Sequence, residues 1–95
     1  MDDLGGLIKS DHIISVSPNP AKGQVSISVM INNPGIIGLE MYNFLGIKQA
    51  ELKAHQDSGE QQYRINLENL PEGYYIIKLM LDGQLKDVKK VILKK

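Results

Sequence analysis

The sequence contains no cysteine, no tryptophan and a single phenylalanine among its 95 residues. Without thiols there is no disulfide to staple the fold, no thiolate nucleophile and no thiolate metal ligand; the absence does not by itself assign a compartment. Acidic and basic residues balance at 11 each, so no net field points to nucleic acid or a charged membrane as a partner. No apolar run approaches the ~20 residues of a membrane span, and no membrane insertion is expected. No signal peptide is expected either, because Met1-Asp2-Asp3 opens acidic and Leu7-Ile8 is far too short for an apolar core segment. The chain is expected to be cytoplasmic or a piece of something longer. Catalytic groups are scarce. His12 lies in a polar N-terminal tether and His55 in a polar turn region, neither beside a nucleophile elbow, so both read as solvated surface rather than bases. Glu51, Asp57 and Glu60 lack the spacing of a calcium loop, and Asn19 with Gly23 forms no phosphate loop because no helix follows. The reading is a non-enzyme with no metal and no cofactor.

What is present is alternation. Apolar residues make up 42% of the chain, ordinary for a globular domain, and a domain of this size buries somewhat over ~60% of its unfolded surface. Residues 1–12 show no period and read as a flexible tether. Ile13-Ile14-Ser15-Val16 is a short strand stopped by Ser17-Pro18-Asn19-Pro20, where each proline bars the preceding residue from a helix. Residues 24–30 alternate, with Val25, Ile27 and Val29 inward and serines facing solvent. After a turn at Asn32-Asn33-Pro34-Gly35, the next strand buries Ile37, Leu39 and Met41. Asn43-Phe44-Leu45-Gly46 is a hairpin loop with Gly46 free to take positive φ. Residues 47–53 are expected to form an exposed edge strand, since only about two helical turns would fit before Asp57-Ser58-Gly59. Tyr63, Ile65 and Leu67 point inward from the strand after that.

The chain is organised around Asn66-Leu67-Glu68-Asn69-Leu70-Pro71-Glu72-Gly73 and the apolar strand that follows. Pro71 fixes its own φ and pushes Leu70 out of the helical region, while Gly73 can adopt backbone angles closed to other residues. Tyr75, Ile77, Leu79 and Leu81 share one face. Tyr74, Ile76, Lys78 and Met80 share the other, which is polar only at Lys78, so this strand belongs in a sheet interior. The Leu-Pro-x-Gly-x-Tyr spacing resembles the tyrosine corner of immunoglobulin-like sandwiches, the alternative being a plain loop-to-strand turn. Asp82-Gly83 is the strongest hairpin signal in the chain. In the last strand Leu85, Val91 and Leu93 share one face and Val88 and Ile92 the other, so a bulge is expected between Asp87 and Val91. Seven short strands without a secure helix predict an all-β, seven-stranded antiparallel immunoglobulin-like β-sandwich.

Two features exceed what folding asks for. Pro18-Asn19-Pro20 is too stiff for an arbitrary linker, although a kinked edge strand also explains it. Lys86, Lys89, Lys90, Lys94 and Lys95 stand against Asp87 alone in residues 84–95, and lysines on an edge strand commonly guard against edge-to-edge aggregation. Four motifs in order carry a resemblance. Val16-Ser17-Pro18-Asn19-Pro20-Ala21-Lys22-Gly23 with Val25-Ser26-Ile27 is followed by Met41-Tyr42-Asn43-Phe44-Leu45-Gly46-Ile47-Lys48, then by the Ile65 to Tyr75 block, then by Lys89-Lys90-Val91-Ile92-Leu93-Lys94-Lys95. Residues 14–95 thus resemble the type A C-terminal sorting domains of the type IX secretion system. Asn43 stands where the family commonly has Asp, and Ile47 where it commonly has Arg.

The resemblance implies a non-catalytic address at the end of a secreted or surface protein, exported via the periplasm and outer membrane. Its partners would be the outer-membrane translocon, a shuttle protein and a surface sortase, which usually removes the domain and joins the cargo to lipopolysaccharide. Residues 1–12 would be the end of a linker from a covalently attached upstream cargo, residues 13–95 the sorting domain, and Met1 an artefact of expression. Recognition is expected at Pro18, Asn19, Pro20, Gly46, Gly73, Tyr75, Lys89, Lys90, Val91, Leu93, Lys94 and Lys95. The alternatives are a fibronectin-like spacer or adhesion module, and a carbohydrate-binding module, for which Phe44 and Tyr74 are the only exposed aromatics expected.

Overall fold

The computed structural model describes residues 11–95, so the expected tether lies largely outside the described residues. Seven strands follow one another: β1 (His12–Ser17), β2 (Gln24–Ile31), β3 (Gly35–Asn43), β4 (Lys48–Gln56), β5 (Gly59–Asn66), β6 (Gly73–Leu81) and β7 (Gln84–Leu93). All pairings between strands are antiparallel, and no helix occurs among the described residues. The strands form a three-stranded sheet, β1-β2-β5, and a four-stranded sheet, β4-β3-β6-β7. This is the expected immunoglobulin-like sandwich. Of the expected tether, Asp11 and His12 are described: the Asp11 carboxylate accepts the Asn32 N–H at 2.8 Å and lies 3.7 Å from the Lys86 ammonium, and His12 pairs with Met30.

The alternation positions the core. Val25, Ile27 and Val29 of β2, Ile37, Leu39 and Met41 of β3, and Tyr75, Ile77 and Leu79 of β6 are all buried between the sheets, with Ile65 and Leu67. β6 lies between β3 and β7, as a strand apolar on both faces should. Asp82 and Gly83 both take positive φ, +50° and +85°, the mirror-image turn whose twist matches a two-residue hairpin. β4 is the outer strand of its sheet, as expected from its charged sequence.

Two expectations need correction. The β7 irregularity falls earlier than the bracket from Asp87 to Val91: Met80 faces Leu85 while Leu79 faces Asp87, which leaves Lys86 as the extra residue. Leu85 therefore shares the outer face with Val88 and is exposed, instead of joining Val91 and Leu93 inside. The serines of β2 do not all face open solvent either. Ser28 is buried, because β2 is the middle strand and neighbours Ser15 and Gln62 cover it.

Candidate functional site

β7 is the outer strand of the four-stranded sheet, and an outer strand presents unpaired N–H and C=O groups that invite another chain. Here the segment after β1 occupies that edge. The Asn19 side chain does so by imitating a peptide group: its Oδ1 accepts the Ile92 N–H at 2.9 Å and its Nδ2 donates to the Lys90 carbonyl at 3.3 Å. Ala21, fully buried, continues the mimicry. Its N–H donates to the Ile92 carbonyl at 2.7 Å and its carbonyl accepts the Lys94 N–H at 2.9 Å, forming a short parallel bridge to Leu93. The flanking prolines have no N–H to give and so prevent the segment from extending into a full strand. Both proline bonds here, Ser17-Pro18 and Asn19-Pro20, are cis. Farther along β7, the Asp87 carboxylate accepts the Ile13 N–H at 2.8 Å.

The other side of β7 pairs with the organising stretch. Gly73 faces Leu93 and Tyr75 faces Val91, and Val91 and Leu93 are buried. The Tyr75 hydroxyl donates to the Pro71 carbonyl, the bond of a tyrosine corner. The chain end is pinned against the same corner: the Lys95 N–H donates to a Glu72 carboxylate oxygen at 2.9 Å, and the Lys95 ammonium donates to the Glu68 carbonyl at 2.9 Å. An open recess of about 620 Å³ lies between Pro18, Pro20, Lys22 and Glu68.

Most of the expected recognition residues fall toward one pole of the sandwich. In the strap formed by residues 18–21, Asn19 meets Lys90 and Ile92 and Ala21 meets Leu93 and Lys94, with Pro18 and Pro20 flanking Asn19. Gly73 and Tyr75 meet the same strand from its paired side. Gly46, at φ +82°, tips the β3–β4 hairpin and joins only through the Asn43–Tyr75 pair. Lys89 stands farther along β7, opposite Ile77. Lys89, Lys90, Lys94 and Lys95 are all exposed. The sequence reading did not find Ala21 or Glu72 as parts of this pole, nor the contact of Asp87 with Ile13 farther along β7. A signal existed for the strap: an Asn between two prolines supplies an acceptor and a donor where the backbone cannot donate. Among the described residues no group of three or more His, Cys, Asp or Glu is placed to hold a metal ion.

The profile of the secretion system C-terminal sorting domain family matches residues 15–94, from β1 through the strap to the end of β7. The chain belongs to that family. It is a type IX secretion sorting-signal domain, and its role is export to the outside or to the cell surface. Curated proteins yield no match. Among solved structures the sorting domain is similar to two of a beta-glucosidase from Kluyveromyces marxianus, one selenomethionine-labelled and one in complex with glucose. Each is 14% identical with a TM-score of 0.56, over 90% of this chain and 14% of the other. At that identity the likeness concerns the fold alone, and the sorting domain spans a small fraction of those enzymes' length.

Two expected results concern the corner of this sorting domain. Gly73 has φ +151° with open space around it, so only backbone strain opposes a side chain. Gly73→Val should destabilise by roughly 1–3 kcal/mol; an unchanged denaturation midpoint would show that the turn relaxes freely. Burial pushes the Tyr75 phenol above its ordinary value of 10.0, and Tyr63 likewise. The unfolded chain then loses these protons first as pH rises. The stabilisation is intact below about pH 10 and is lost as pH climbs through the folded-state values. Tyr75→Phe should therefore show a shallower alkaline fall in stability than the parent, and an identical slope would contradict this origin.

Proposed function

We propose that this sorting domain is the address of a longer exported protein, read by the outer-membrane translocon and its shuttle at the pole built by the strap and the end of β7. On this reading the cargo lies upstream of residue 13, connected through residues 1–12, and passes through the periplasm. A surface sortase removes the domain and attaches the cargo to lipopolysaccharide. The domain contributes recognition and no catalysis, and it needs no cofactor. The observation that supports the reading is the Asn19 and Ala21 latch on β7, which gathers two sequence-distant motifs of the matched family into one surface. Lys89, Lys90, Lys94 and Lys95 supply its exposed positive charge, whereas Val91 and Leu93 anchor the strand that carries them.

Exposed lysines contribute little to folding, typically within ±0.5 kcal/mol each. Changing Lys89, Lys90, Lys94 and Lys95 to Gln should therefore leave the purified domain folded. A reporter fused ahead of the Gln variant should accumulate in the periplasm. Normal export of the folded variant would remove these lysines from the recognised surface, and aggregation alone would assign them to edge protection.

A further inference from the structure

The one phenylalanine of the sequence is 79% exposed, and it is not alone: Leu45 is 69%, Ile47 54% and Tyr74 58% exposed beside it. Three of these four sit in one hairpin tip. Asn43 prevents the tip from folding away. Its Oδ1 accepts the N–H groups of Leu45 at 2.9 Å and Ile47 at 3.0 Å, its carbonyl accepts the Gly46 N–H at 2.9 Å, and its own N–H donates to the Ile47 carbonyl at 2.9 Å. Four hydrogen bonds on one residue hold a rigid apolar knob in water. Apolar groups gathered and preorganised in this way mark an interaction surface.

Behind the knob, Phe44, Tyr74, Ile76 and Lys90 line an open recess of about 390 Å³. The Lys90 ammonium sits 5.5 Å from the centre of the Tyr74 ring, a cation held over an aromatic face. No carboxylate is among the lining residues. The surface is therefore an apolar floor with a cationic rim.

We propose that the Asn43–Ile47 knob and the Phe44–Tyr74–Lys90 recess are a docking site for a protein partner that offers an aliphatic or aromatic side chain beside a carboxylate. This rests on the sorting reading and makes the partner an outer-membrane component of the export machinery. Charge complementarity selects it, since an acidic partner satisfies Lys90 while a second copy would bring its own Lys90 to the contact. A bilayer could take the knob but has no use for a recess. The described chain enters β1 at the opposite pole, where His12 faces Met30, while the knob adjoins Tyr75, so the described start of the chain lies away from this surface.

The test uses a reporter fused ahead of the whole domain in cells with a working type IX system, alongside the purified domain. The Phe44→Ser/Leu45→Ser variant should melt with the parent, because both side chains are exposed, yet be exported about tenfold more slowly or worse, the scale of losing a central anchor. Lys90→Glu should slow export and Lys90→Arg should not. A photocrosslinking phenylalanine analogue at position 44 should capture an outer-membrane export component. Export of the double-Ser variant at the parent's rate would overturn the inference while leaving the sorting reading intact. Failure of the parent fusion itself to be exported would overturn both. Phe44-dependent sedimentation with phosphatidylglycerol vesicles would overturn it in favour of a membrane, and a Phe44-dependent dimer in favour of a second copy.

Discussion

Truncating Ile77 or Leu67 to alanine is expected to cost about 2–5 kcal/mol of folding stability each. Both side chains are fully buried. Ile77 lies in β6 between Met41 of β3 and Lys89 of β7, so two paired strands restrain collapse around the cavity. Leu67 lies just past β5 and is tied in place by its N–H donating to the Gly23 carbonyl at 2.9 Å. Domains of this kind have only about 5–15 kcal/mol in total, so either change removes a large share. Urea denaturation followed by far-ultraviolet circular dichroism measures it. Near-neutral effects at both sites, or a helical spectrum, would overturn the sandwich.

Removing residues 91–95 should do more. It takes out Val91 and Leu93, both buried, two large-to-nothing losses of the same order as above, so the sum approaches the whole stability of a small domain. It also strips Ala21 of both its partners and Asn19 of the Ile92 N–H, leaving most of the strap without the edge it covers. The truncated domain should be largely unfolded at room temperature, seen as loss of the cooperative melting transition. Loss of export on truncation would then follow from unfolding as much as from a missing signal. A truncated domain with the parent's melting curve would mean that the end of β7 is not integral to the sandwich.

These effects trace to how far the fold was legible beforehand. Alternation identified the inward residues of β2, β3, β5 and β6 because each of those strands buries one face against the other sheet, and period two then has physical force. It failed at Leu85, where the extra residue Lys86 flips the parity of everything before it, and charged neighbours gave no hint of which residue bulged. It failed more mildly at Ser28, which looks solvent-facing by parity but lies beneath its neighbours on a middle strand. The tyrosine corner was legible as a spacing, with the alternative of a plain turn open until the Tyr75 to Pro71 bond was seen. The strap was legible only as stiffness. That Asn19 turns toward β7 depends on contacts spanning more than seventy positions, which local sequence cannot express. For the same reason Gly46 and Phe44 read as a loop tip, while their nearness to Tyr74 follows only from the register of β3 against β6.

The central claim is that this domain is sufficient as an export address. It is tested most directly by fusing residues 1–95 behind a periplasmic reporter in cells with an intact type IX system and measuring the reporter at the surface and in the medium. The account predicts export of the fusion and retention of the unfused reporter in the periplasm. A folded, intact fusion that stays in the periplasm alongside the unfused control would contradict it.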